Sequence, residues 1–235
     1  MRDKILKFIY HMLYGALKDY FLRKHKSELL EGACQQARGQ ALVVSRVVEV
    51  EKHRLVLPLQ HSFRTNSPVI ADYGCYFLCI LFLALVVKEI KDGVEKCFDK
   101  FEVDLLYKSL ASLGSLRAQN SYVESPNLIL ACLGLDEHVC YKDKHHDVSY
   151  VAGDEDMLVG QYKDNESGLH HFVVLGSGRE VVWDSLGNSQ AVRSGSLLSL
   201  RVFKLLDKKL TGPVKDRLSF YKQQFENLKE SLEGI

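Results

Sequence analysis

The sequence predicts an α+β fold: a buried helix carrying a cysteine, packed on an antiparallel sheet, with amphipathic helices at both termini. Three observations carry this. After Asp72-Tyr73-Gly74-Cys75 come twelve unbroken apolar residues, Tyr76 to Val87, before Lys88, Glu89, Lys91, Asp92 and Gly93 return the chain to solvent. A helix apolar on every side must be buried, and this run is well short of the about 20 residues that a membrane span needs. The last third reads instead as short β-prone runs separated by Gly-, Asn- and Ser-rich turns, the pattern of hairpins. Both ends show apolar residues at spacings of three and four.

Composition bounds the function. With 235 residues and 46% hydrophobic content, the chain is long enough for one sizeable core. The 31 Lys+Arg and 30 Asp+Glu leave a formal net charge of +1, so no overall field recruits nucleic acid or an anionic membrane. Six cysteines (Cys34, Cys75, Cys79, Cys97, Cys132, Cys140) stand at irregular spacings without a secretory signal, which argues for reduced thiols and a cytoplasmic setting.

Taken in order, Ile5, Ile9, Met12, Leu13, Ala16, Leu17, Tyr20 and Phe21 fit an amphipathic helix to about Leu30, with no A-x-A-like cleavage site after it. It reads as a helical extension, 1–40, packed on the domain. Its Lys4, Lys7, Lys18, Arg23, Lys24 and Lys26 also allow a membrane-surface reading, which Asp3 and Asp19 weaken. From Ala41, Val43 to Val50 and Leu55 to Leu57 suggest two strands of a hairpin, with a helix from Gln36 to Glu51 as the competitor. Pro58, Ser67 and Pro68 make the approach to Cys75 extended and irregular. A helix is expected between Lys96 and Leu116, leaving at Gly114. Another should start at Ser125-Pro126, since serine at the N-cap and proline at N1 form a start signal, and end at Gly134.

Cys132, His138, Cys140, His145 and His146 invite a test as metal ligands, but their spacing lacks the close pairs of zinc sites. They read as a polar loop with two inert cysteines, and no metal or cofactor is expected. Strands follow at Met157–Tyr162, Leu169–Leu175, Glu180–Trp183 and Leu200–Leu205, and a terminal helix runs from Val214 to Leu232. The domain itself spans 41–206 and the last helix 207–235, docked on the domain or offered, like the first, to a second copy of the chain.

The chemistry gathers at Cys75. A cysteine on the first turn of a helix meets the positive end of the helix dipole and unpaired N–H groups, which favour thiolate, the nucleophile. Cys79, one turn further in, reads as a small buried hydrophobe. A two- or four-residue turn around Ser177-Gly178 sets Leu175 opposite Glu180 and hence His171 opposite Asp184, with Cβ atoms about 5 Å apart. A three-residue loop would shift the pairing by one and favour His170. A thiol, an imidazole to take its proton and a carboxylate to orient the ring form a nucleophilic triad.

The order Cys…His…Asp, with Gly74-Cys75 and Cys79, His171-Phe172-Val173-Val174, and Trp183-Asp184-Ser185-Leu186-Gly187, resembles papain-like cysteine peptidases, nearest the bacterial double-glycine leader peptidases. The resemblance covers about Asn66 to Gly187. It implies a papain-like fold and a hydrolase cleaving a peptide or amide bond, with Cys75 as nucleophile, His171 as base and Asp184 as orienter. The family's oxyanion glutamine has no counterpart, since Val69 stands six before Cys75 and leaves Asn66 and Gln60 as displaced candidates. Losing such a donor costs about 100- to 1000-fold in rate. Tyr76 and Phe77 are bulky where that family has small residues. The alternative is a papain-like fold without turnover that binds a protein partner. The whole chain also resembles an uncharacterised family of plasmid-encoded proteins from Borrelia spirochaetes, which implies no substrate.

Overall fold

The centre of the molecule is the helix that begins with the cysteine. In the computed structural model, which describes residues 57–93 and 98–233, Pro68–Tyr73 forms α1, Cys75–Asp92 α2, Lys100–Ser112 α3, Pro126–Cys132 α4, Gln190–Ser194 α5 and Thr211–Glu233 α6. Strands β1 (Val139–His145), β2 (Asp156–Lys163), β3 (His170–Leu175), β4 (Val181–Asp184) and β5 (Ser196–Leu205) form one antiparallel sheet in the order β1-β5-β2-β3-β4. The architecture is therefore α+β. The expected N-terminal helix, the hairpin as far as Val56, and Cys34 and Cys97 lie outside the described residues, as do the side chains of Leu228 and Leu232.

α2 buries Cys75, every residue from Phe77 to Val87 and Glu89, as its composition requires, while Lys91 and Asp92 are exposed and Gly93 stops it in the left-handed conformation at φ 66°. It lies on the sheet through two ring stacks, Tyr76 on Phe172 at 4.7 Å and Phe82 on Trp183 at 5.0 Å. Phe172 and Val174 point to one side of β3 and Val173 and Leu175 to the other, by strand alternation. The far side of the sheet buries a second cluster, Leu158, Val173, Leu175, Leu200 and Val202, under Tyr150, Ala152 and Val192.

Several expectations are corrected. The approach to Cys75 is helical rather than extended: a 3-10 turn, Gln60–Phe63, leads to α1, which takes Pro68 at its first position, where proline's missing N–H costs nothing. The helix expected between Lys96 and Leu116 does form there, starting at Lys100, where Asp99 and Glu102 make a reciprocal capping box. The loop expected around Cys140 is instead strand β1, with Val139, Tyr141 and His145 opposite Leu205, Phe203 and Leu200. Its neighbour β5 is longer than Leu200–Leu205 and lies inside the sheet, between β1 and β2.

The register also differs. Leu175 opposes Val181, not Glu180, and Asp184 opposes Val173, not His171. The 176–179 turn places Arg179 at φ 66°, and Gly176 N–H donates to Glu180 O at 2.9 Å, the three-residue loop with a left-handed last residue. That moves the pairing by one, and a bulge between Trp183 and Val181 moves it by one more. Two single shifts restore the face.

The C-terminal helix docks on the parent domain, as its apolar stripe suggests. Tyr221 packs edge-on to Phe82 at 5.5 Å, and its hydroxyl donates to Glu89 Oε2 at 2.7 Å inside the core. Arg217 pairs with the same buried carboxylate. Among the described residues no helix is long and apolar enough to cross a membrane.

Candidate functional site

Cys75 is placed by a break between two helices. Gly74 N–H closes the last turn of α1 on Ile70 O at 2.8 Å, and Leu78 N–H opens α2 on Gly74 O at 2.9 Å. A Cβ on Gly74 would stand 2.5 Å from Ile70 O and 2.8 Å from Ile70 Cγ2, so only glycine lets the two helices meet this closely. In an unbroken helix the Cys75 N–H would bond Ala71 O. Here the Gln60 side chain takes that carbonyl, Nε2–H donating at 3.0 Å. The N–H groups of Cys75 and the next residues are thereby the first turn of a new helix.

His171 and Asp184 are in contact, although the pairing makes them diagonal rather than opposite neighbours. His171 Nε2–H donates to Asp184 Oδ1 at 2.7 Å. A diagonal separation of about 7–8 Å is spanned because the imidazole is long. Asp184 is held in turn: Oδ1 also accepts Leu186 N–H at 2.9 Å and Oδ2 accepts Ser189 N–H at 3.0 Å. The turn closes through Gly187 N–H on Asp184 O at 3.0 Å, with Gly187 at φ 83°. β4 ends at Asp184, so His171 pairs with Tyr162 of β2 and has no ladder partner on the β4 side.

The electrostatics couple the three groups. Burial works to lower the His171 pKa, but the hydrogen bonds and charges of Asp184 and Cys75 outweigh it and raise it to about 9. Asp184 is held below the usual carboxylate range: burial opposes this, and the bond and charge of His171 with the contacts of Leu186 and Ser189 prevail. Burial, then the charges of Cys75 and Asp184, push the Cys79 thiol well above its ordinary value and leave it inert. Cys75, Cys79, Cys132 and Cys140 are free thiols.

The other sequence candidates take different places. Gln60 is buried and engaged at both ends of its amide, since Oε1 accepts the Ser185 hydroxyl at 2.8 Å while Nε2 holds Ala71. Its role is to join the strand end that carries Asp184 to the helix that delivers Cys75. Nothing in the sequence near Gln60 announces this. Asn66 donates weakly to Lys100 O at 3.4 Å and lines a groove with Ser67, Val69, Tyr107 and Ala111, away from the trio. His170 is exposed and bonds Gln161, not Asp184. Among the described residues no group of three or more His, Cys, Asp or Glu side chains is arranged to hold a metal ion, and His138, Cys140 and His145 lie at β1 and the turn before it.

Fold and site together define an α+β protein in which a buried helix presents a cysteine to a histidine–aspartate pair at the edge of an antiparallel sheet. The chain belongs to the DUF261 family, proteins of unknown function, whose model matches residues 58–205, more than half of its length. No curated protein and no solved structure matches it.

Proposed function

We propose that the protein is a thiol-dependent hydrolase of papain-like type that cleaves a peptide or amide bond. The observation that carries this reading is the buried contact of His171 with Asp184, with the Cys75 thiol among the groups that raise the His171 pKa. The Cys75 thiol gives its proton to the free nitrogen of His171, and the thiolate attacks the substrate carbonyl. The imidazolium then returns that proton to the leaving nitrogen, and water attacks the thioester with His171 as base. Asp184 holds the ring and its charge throughout. The first-turn N–H of Cys75 is the available donor to the oxyanion, in place of the side chain of Gln60.

A second reading, a binding protein that keeps the arrangement without turnover, draws on burial: Cys75 is 9% exposed and His171 5%. The reduced thiols suit a cytoplasmic setting. Limiting iodoacetamide at mildly acidic pH separates the two readings. The hydrolase should be alkylated at Cys75 ahead of every other cysteine, and His171→Ala should abolish that selectivity without unfolding the domain. Equal labelling of the six cysteines, or normal labelling of Cys75 in a destabilised His171→Ala protein, removes the enzyme reading.

A further inference from the structure

Against the residues that follow Cys75 and His171 lies a cation with no carboxylate partner among the described residues. Arg201 of β5 is half-buried, its guanidinium 4.9 Å from the centre of the Phe172 ring and 5.6 Å from that of Tyr76. Those rings belong to the residues that follow His171 and Cys75, and they stack on each other. Arg201 Nη1–H donates to Gln161 Oε1 at 3.0 Å and to Ser199 Oγ. Both acceptors are neutral, and among the described residues no carboxylate pairs with the guanidinium.

The register explains why these groups meet. Gln161 of β2 pairs with Phe172 on one side and Ser199 on the other, so the three share a sheet face with Arg201 and His170, two residues further along their strands. This is the face that α2 covers, and α2 starts at Cys75. Arg201, Gln161, Phe172 and Tyr76 are all partly exposed, and His170 is exposed. They form a shelf running outward from the helix start. Lys144, opposite Arg201 on β1, adds positive charge, while the exposed Asp143 turns to the backbone N–H of Lys144 at 2.7 Å. Burial lowers the Arg201 pKa, and the groups that act against it are the phenols of Tyr76, Tyr141 and Tyr122. A desolvated guanidinium faced by rings and amides is a fork awaiting a carboxylate.

We propose that Arg201, with the Tyr76–Phe172 stack, is a specificity-determining subsite that binds a carboxylate of the substrate next to the bond presented to Cys75. The inference rests on the hydrolase reading and names its substrate class: a peptide bearing a carboxylate near the scissile bond, either at its C-terminus or on an acidic side chain.

Two reagent pairs distinguish these sources. N-iodoacetylglycine against N-iodoacetylglycinamide tests a terminal carboxylate. N-iodoacetylglutamate α-amide against the matching glutamine α-amide tests a side chain. Relative to a free thiol, the charged member of one pair should alkylate Cys75 about 10-fold faster or more, the range of a hydrogen bond to a charged group. Arg201→Gln should cancel that preference, and Arg201→Lys should retain part of it. A readout independent of the thiol is thermal unfolding with N-acetylglycine or N-acetylglutamate α-amide. One of these should raise the midpoint in the wild type, with no effect of its neutral counterpart. Charged and neutral probes acting alike on the wild type, or a preference that survives Arg201→Gln, overturns the subsite. A selective iodoacetamide reaction at Cys75 without a carboxylate preference removes this inference alone. Loss of His171-dependent labelling removes the hydrolase reading while the unfolding measurement still decides whether Arg201 binds a carboxylate.

Discussion

Gln60 and Ser185 are joined twice, Gln60 N–H donating to Ser185 O at 2.7 Å and the Ser185 hydroxyl donating to Gln60 Oε1 at 2.8 Å. Ser185 follows Asp184, and the other end of the Gln60 amide holds Ala71 O, four residues before Cys75. One buried amide therefore ties the helix that leads into Cys75 to the residue that follows Asp184. Gln60→Ala should leave Ala71 O and the Ser185 hydroxyl unpaired, at about 1–3 kcal/mol for each group left buried. The urea midpoint should fall with an unchanged m-value, and Cys75 alkylation should slow; an unaltered midpoint would refute the role given to Gln60.

Gly74→Ala tests the junction between α1 and α2. The added methyl meets a backbone carbonyl, Ile70 O, and not just a flexible side chain. Shortening Ile70 therefore relieves only part of the clash, and the substitution should destabilise the fold by about 1–3 kcal/mol. Chemical denaturation of Gly74→Ala and of the double variant with Ile70→Ala measures both claims. Full rescue in the double variant would show that the side chain alone made the contact.

The imidazole predicts a pH dependence. His171 binds its proton more tightly folded, at about 9, than as an ordinary imidazole at 6.5. Its contribution is complete below about pH 6.5 and is lost as pH rises through 9, a decline on the order of 3 kcal/mol for that shift. Asp184 acts in the opposite sense, since its depressed value gives stability that disappears as pH falls through the acid range. Stability should thus peak in the mildly acidic region, and His171→Gln should flatten the alkaline limb. Urea midpoints from pH 5 to 9.5 provide the check, and an alkaline limb equally steep in both proteins contradicts it.

Asp184→Asn keeps the shape but changes a double acceptor into an acceptor and a donor. If Oδ1 goes on serving His171 and Leu186, the new amide faces the Ser189 N–H, donor against donor. A loss of about 1–3 kcal/mol should accompany slower labelling of Cys75. Labelling faster than in the wild type would argue against Asp184 as the orienter.

The C-terminal helix should prove indispensable although it lies beyond the matched residues 58–205. Tyr221→Phe deletes the hydroxyl that serves the buried Glu89 carboxylate, a charge-assisted bond worth about 1.5–3 kcal/mol. A chain ending at 205 would uncover Phe82 and leave Glu89 without Tyr221 and Arg217, and it should not fold cooperatively. Circular dichroism during urea titration distinguishes these outcomes from an independent C-terminal helix.

Local chemistry alone determined much of this molecule. Twelve apolar residues after Gly74 can only make a buried helix, Ser125-Pro126 starts α4, and the turn residues from Lys163 to Arg179 divide β2, β3 and β4. Cys75, His171 and Asp184 are legible because each stands at the end of such an element. The reason first available for pairing His171 with Asp184 was not the operative one. The hairpin turn shifts the register by one, the bulge by Val182 shifts it by another, and strand alternation brings the same face round again. Turn type and bulges depend on how β4 packs through Trp183 against Phe82 of α2, which no local pattern encodes. The same holds for Gln60, 125 residues from Ser185, and for Arg201, whose rings and amides come from α2, β2 and β3. Spacing along the chain says which side chains an element can offer; only the packing of elements decides which of them meet.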